Sequence, residues 1–315
     1  MARQKAKDRI GRGAQIWLAL SLALLMSGSA WAAVGGLAHN ETGLLKTAVM
    51  TDKTLLWRVE RSGLRPSYVF GTIQSEDPRV AELPPSVIQA FRFSDAFAME
   101  MIPDQTALAG MSAAMFISEG PNLHEMLGDE WFQRTAALAA LYGVPPAILS
   151  SLKPWVVFTA LTMPKAEEGM FLDVILYGAA LSDGKYIHGL ETADEQVGTF
   201  ESIDMNDQLT ILKEVVVNHE AIGHLNQELV NSYTRGDLNA VTSLQAQYIA
   251  NGDQRLEQMY QQRTVDDRNL RMVERMLPRI EEENIFIAID ALHLPGINGV
   301  LHLLEQRGYR VSPVQ

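Results

Sequence analysis

The sequence predicts an α/β (α+β) fold in which a mixed central sheet is assembled from the two ends of the chain around a large helical insertion. Three observations predict it. Apolar, β-branched runs suited to strands occur near both ends: LLWRV at 55–59, SYVF at 67–70, NIFIAI at 284–289 and YRVSPV at 309–314. Between them, from about 105 to 280, apolar residues recur mostly at helical spacing. The terminal segments also share one plan of strand, polar turn, helix and strand, which aligns Gly71 with Asp290 and Gln74 with His293.

The elements follow in order. Residues 1–32 read as an exported protein's signal peptide: Arg3, Lys5, Lys7, Arg9 and Arg12 precede an apolar run from Ile16 to Met26 and an A-x-A site at Ala30–Ala32. A membrane anchor is the alternative, but that run is shorter than the roughly 20 residues that span a bilayer. Residues 33–53 form a lead-in, and 54–315 form one α/β domain. The first two strands make a hairpin through Ser62-Gly63 and Arg65-Pro66. Leu83-Pro84-Pro85 opens a helix with Val87, Ile88 and Phe91 on its apolar side. Ala96–Met101 is a strand carrying Glu100. Leu123–Leu141 and Gly169–Leu181 read as helices, and Tyr186–Gly189 as a short strand ending in GLET. Asn206 to Arg279 is amphipathic helix interrupted at 234–237.

Composition excludes several chemistries. There is no cysteine, which removes disulfides, thiolate metal sites and cysteine nucleophiles. Residues 1–32 hold five bases and one acid, so cleavage takes the net charge from −12 to −16. That balance disfavours nucleic acid and anionic membranes as partners. No G-x-S-x-G elbow, P-loop or G-x-G-x-x-G turn is present. His219 and His224 sit in H-E-x-x-x-H, five residues apart, which turns them to different sides of a helix and leaves them ordinary residues of a solvated one.

Polar residues at strand ends remain. Gln74, Glu100, Glu191 and His293 each follow a strand, where sites in α/β sheets gather. Two carboxylates and an imidazole, brought together, suit a divalent ion and its water, with one glutamate as general base.

The stretch GTIQSEDPRVAELPPSVIQAFRFSDAFAMEM resembles the opening signature of the TraB/GumN family, to which the Tiki proteins are related. GLETADEQVGTF, DRNLRMVERM and IDALHLPGINGVLHLLEQRGYRV are similar to three later family segments, so the resemblance covers about 55–312. It implies a Tiki-type fold built on two G-x-x-H half-motifs and a metal-dependent peptidase-like hydrolase acting on peptides or proteins. By position it implies Glu100, Glu191, His293 and Arg268 as catalytic residues, and Glu100, Glu191, His293 and Gln74 as ligands of a divalent metal (Mn, Co or Zn). Two positions depart from the pattern: Asp290 replaces the second glycine and Gln74 the first histidine. A neutral amide oxygen is a weaker ligand than imidazole for borderline ions and cannot move a proton. Two readings therefore stand: an exported, periplasmic or secreted hydrolase, and a catalytically inactive peptide-binding or envelope-associated protein using the same cleft.

Overall fold

The computed structural model describes residues 53–164, 170–249 and 253–314. The expected signal peptide, and the lead-in apart from Lys53, lie outside the described residues. Among the described residues no helix is long and apolar enough to cross a membrane. The described residues form two compact units, one comprising 103–164 and 193–219, the other 53–102, 170–192, 220–249 and 253–314.

The second unit holds a six-stranded mixed sheet: β1 (Leu56–Glu60), β2 (Ser67–Thr72), β3 (Ala96–Met99), β4 (Tyr186–Gly189), β5 (Ile285–Asp290) and β6 (Arg310–Pro313), in the order β4-β3-β5-β2-β1-β6. β1 runs antiparallel to β2 and β6, whereas β4, β3, β5 and β2 are parallel. Every residue of β3 and β5 is buried, because a central parallel strand is covered on both faces and reads as an unbroken apolar run. Phe70, Phe91, Phe97 and Phe286 pack ring to ring in the core this creates, with Phe91 and Phe286 centroids 5.4 Å apart. Helix Leu172–Ser182 packs on β3, β4 and β5, and Val300–Gln306 packs on helix Asp267–Glu282 and β6.

The strands at both ends of the chain do meet. β2 and β5 are adjacent and parallel, with Gly71 opposite Ile289 and Thr72 opposite Asp290. The pairing is thus offset by one residue from the motif alignment, which set Gly71 against Asp290. The two turns also touch. A Cβ on Gly71 would lie 2.8 Å from Leu294 Cδ1 and 3.1 Å from Ala291, so only glycine lets the first turn close on the second.

The other unit is helical. Its 123–141 segment, expected as one helix, divides at Gly128 into Leu123–Leu127 and Asp129–Ala139, and Asn122 and Glu125 form a capping box on the first piece. Trp155 and Phe200 stack at 5.3 Å in its core. His219 is not an ordinary solvated residue: its Nε2 lies 3.0 Å from the Tyr142 hydroxyl, just after the helix leaves ideal angles at Asn218. In the sheet unit, Ile88 is 39% exposed and Ala90 takes the buried position beside Val87 and Phe91.

Candidate functional site

The carboxyl ends of β2, β3, β4 and β5 point the same way, and the polar residues read from the sequence follow them. Glu100 comes directly after β3 and Glu191 two residues after β4. Their segments remain paired beyond the strands, with the Glu191 N–H donating to the Glu100 carbonyl at 2.6 Å. Arg268 reaches both side chains from helix Asp267–Glu282. Its Nη2 donates to Glu100 Oε2 at 2.6 Å and to Glu191 Oε2 at 2.7 Å, and its Nε to Glu191 Oε2 at 2.9 Å. Burial alone would favour a neutral guanidine, but Glu191 and Glu100 more than offset it and hold Arg268 charged.

A turn of π-helix at Gln262–Asp266 precedes Arg268. Such a bulge shifts the phase of the residues that follow it. Arg268 and Asn269 are both buried there, while Arg271 and Arg275, further along, donate to Glu191 Oε1 and the Leu190 carbonyl, each at 2.8 Å.

His293 lies in the 3₁₀ turn after β5 and is 1% exposed. Its Nδ1 sits 2.7 Å from Asn269 Oδ1, and the Asn269 amide nitrogen donates to the Asn298 carbonyl. That second bond orients the amide, so the imidazole proton belongs on Nδ1 and Nε2 carries the lone pair. Burial, then the positive charge of Arg268, depress the His293 pKa to about 3, against an opposing pull from Glu191. The ring is therefore neutral, with Nε2 facing Glu100 Oε1 at 3.9 Å. Glu100 Oε1 also accepts the Asp290 N–H at 2.9 Å, tying the end of β3 to the end of β5.

Glu100, Glu191, Arg268 and His293 are thus brought together. Gln74 is 7% exposed, and both atoms of its amide are buried without a hydrogen-bond partner.

Four further residues were missed by the sequence reading. Asp173, on helix Leu172–Ser182, accepts the Thr72 hydroxyl on Oδ1 at 2.6 Å, and its Oδ2 is buried with no partner. Burial raises its pKa to about 8; the Thr72 bond opposes this, and the charges of Glu100 and Asp290 add to it. Tyr233 donates to the Gly71 carbonyl at 2.9 Å, and Asn269 holds His293. Only Asp173 left a sequence signal: it is the single charge in GMFLDVILYGAAL, spaced to share the buried side with Leu172, Leu176 and Ala180.

The chain matches the model of the TraB/PrgY/gumN family over residues 55–313. The chain belongs to that family. Among curated proteins it is similar to Metalloprotease TIKI2 of Danio rerio, with 25% identity over 313 residues, covering 82% of this chain and 60% of that protein. Metalloprotease TIKI2 of Xenopus tropicalis is 24% identical over 312 residues, covering 82% and 59%. The Metalloprotease TIKI homolog of Nematostella vectensis is 21% identical over 318 residues, covering 83% and 67%. The chain spans about three fifths of the length of the two TIKI2 proteins. No solved structure matches it.

The metal implied by these relatives can be tested against the donor atoms. Both Glu100 oxygens and both Glu191 oxygens face a backbone N–H or a guanidinium, and Arg268 already supplies positive charge between them. Among the described residues no group of three or more His, Cys, Asp or Glu could hold an ion. The set Glu100, Glu191, His293 and Gln74 does not fit a metal in this arrangement.

Proposed function

We propose that this TraB/PrgY/gumN family member is exported to the periplasm or secreted and acts on peptides, as a peptidase-like hydrolase working at the ends of β3 and β5. One observation carries the reading: the Nε2 of a neutral imidazole lies 3.9 Å from a carboxylate oxygen, close enough for one water to bridge them. A water bridging Nε2 and Glu100 Oε1 is oriented by both and can give up a proton to the Glu100 carboxylate, which is general-base activation. Arg268 keeps positive charge beside the carboxylates and suits a negative oxygen developing on an attacked carbonyl. Asp173 retains a proton near neutral pH and can donate it. No step is routed through a metal.

A second reading, peptide binding without hydrolysis, is favoured by Gln74. Its amide can hydrogen-bond a peptide backbone but cannot carry a proton. Exposure of the purified protein to a peptide mixture, read by mass spectrometry, separates the two. Hydrolysis predicts fragments that fall at least 100-fold in Glu100→Gln and His293→Ala. Binding without fragments would overturn the hydrolase and leave the second reading. Elemental analysis and thermal melts with chelator, Mn²⁺, Co²⁺ or Zn²⁺ are expected to give no stoichiometric metal and no shift. A bound equivalent of any of these ions would overturn the metal-free chemistry.

A further inference from the structure

A cavity of about 260 Å³ opens within the sheet unit, between the chain entering β1, the start of helix Pro85–Phe93 and the turn at 234–236. Its floor is apolar and buried: Leu56, Phe70, Val80 and Val87 are all 3% exposed or less. Its rim is charged, with Lys53, Arg79 and Arg235 against Glu82. In a chain with 38 acids and 26 bases, three cations round one mouth are unusual.

The neighbours of these cations single out one of them. Lys53 lies 3.5 Å from Asp237, and Arg79 makes paired hydrogen bonds to the Asp77 carboxylate. Arg235 is exposed and donates to a neutral hydroxyl, Ser232 Oγ, at 3.2 Å. The backbone of its turn is fixed by the next residue. Gly236 has φ +67°, and a Cβ there would lie 3.2 Å from the Lys53 backbone, so the turn docks against the entry to β1 in a way only glycine allows. Tyr233 also lines the cavity, and its hydroxyl donates to the Gly71 carbonyl at the head of the turn that carries Gln74.

We propose that this cavity binds the C-terminal residue of a peptide, its apolar side chain on the Leu56, Phe70, Val80 and Val87 floor and its carboxylate at Arg235. A guanidinium paired with a terminal carboxylate at the mouth of a small apolar pocket gives both affinity and direction. The volume suits one residue. The inference rests on the peptide reading above and names the end of the peptide that is recognised.

Calorimetry on the full chain tests it with three probes: a pentapeptide ending in leucine, its C-terminal amide, and N-acetyl-leucine. The free-acid peptide is expected to bind. Amidation, Arg235→Ala and Ser86→Trp, which fills the mouth, are each expected to weaken binding at least tenfold. Equal affinity for acid and amide, no effect of Arg235→Ala, or no binding would overturn the proposal. N-acetyl-leucine binding as tightly as the pentapeptide would also overturn it, replacing the peptide end with a free small acid. The two readings fail separately: acid-selective binding without cleavage removes only the hydrolase, and cleavage indifferent to amidation removes only this pocket.

Discussion

At the end of β2 the chain turns through residues 73–75, and at the end of β5 through 291–294, on two strands that lie side by side and parallel. In the second turn Asp290 Oδ1 accepts the Leu292 N–H, and His293 is oriented by Asn269 and set against Glu100. In the first turn Gln74 is also buried, yet neither amide atom has a partner. The difference comes from what lies beside each turn. Helix Asp267–Glu282 brings Arg268 and Asn269 to the second, while at the first Thr72 donates to Asp173 Oδ1 and Tyr233 to the Gly71 carbonyl, and neither bond reaches Gln74. A shared backbone plan therefore does not give shared chemistry; the side chains arriving from distant helices do.

The comparison can be broken most severely at Arg268. Arg268→Met leaves Glu100 and Glu191 buried with their principal counter-charge gone, and a loss of about 3–5 kcal/mol is expected in urea unfolding. A loss under 1 kcal/mol would mean that the second turn does not depend on this ion-pair network. Gly71→Ala attacks the contact between the turns. Its methyl would meet Leu294 and Ala291, and about 1–3 kcal/mol is expected to be lost. An unchanged melting temperature would show that the turns do not press on each other.

Asp173 sharpens the comparison through pH. Between its unfolded value of about 3.9 and its folded value of about 8, the unfolded chain releases a proton that the folded chain keeps. Stability from this group therefore falls as pH rises, by at most about 1.4 kcal/mol per pH unit. His293 acts oppositely: with a folded value of about 3 and an unfolded one of about 6.5, it costs stability as pH drops below 6.5. Between pH 6.5 and 8 only the Asp173 slope remains of the two. Asp173→Asn should flatten unfolding free energies across that window, and the same decline in the variant would assign it to another group. The smallest effect is expected at Gln74. Gln74→Leu removes an amide that finds no partner and should stabilise the fold by about 1 kcal/mol. Destabilisation would show that the amide is satisfied in solution.

Much of the sheet was legible because strands buried on both faces leave an apolar signature of their own, as in NIFIAI and DAFAMEM. The adjacency of β2 and β5 was legible as a repeated plan, but its one-residue offset was not, since register is set by the sheet's hydrogen bonds rather than by matching motifs. The division at Gly128 and the contact of His219 with Tyr142 were hidden because each depends on local backbone departures or on residues distant in sequence. Asp173 was passed over because an acid in an apolar helix shows its partner only once Thr72 is placed against it.

By itself the sequence determined the family, the α/β class and the residues that terminate the parallel strands, because periodicity and ordered motifs are local properties of a chain. Tertiary structure alone decided the partners of those residues and the neutral state of His293. Burial removes water from Glu100, Glu191, Asp173 and His293, and in that low-dielectric surrounding the outcome depends on which side chain lies within 3 or 4 Å. Arg268 arrives beside the two glutamates, Asn269 beside the histidine, and no partner arrives for the Gln74 amide.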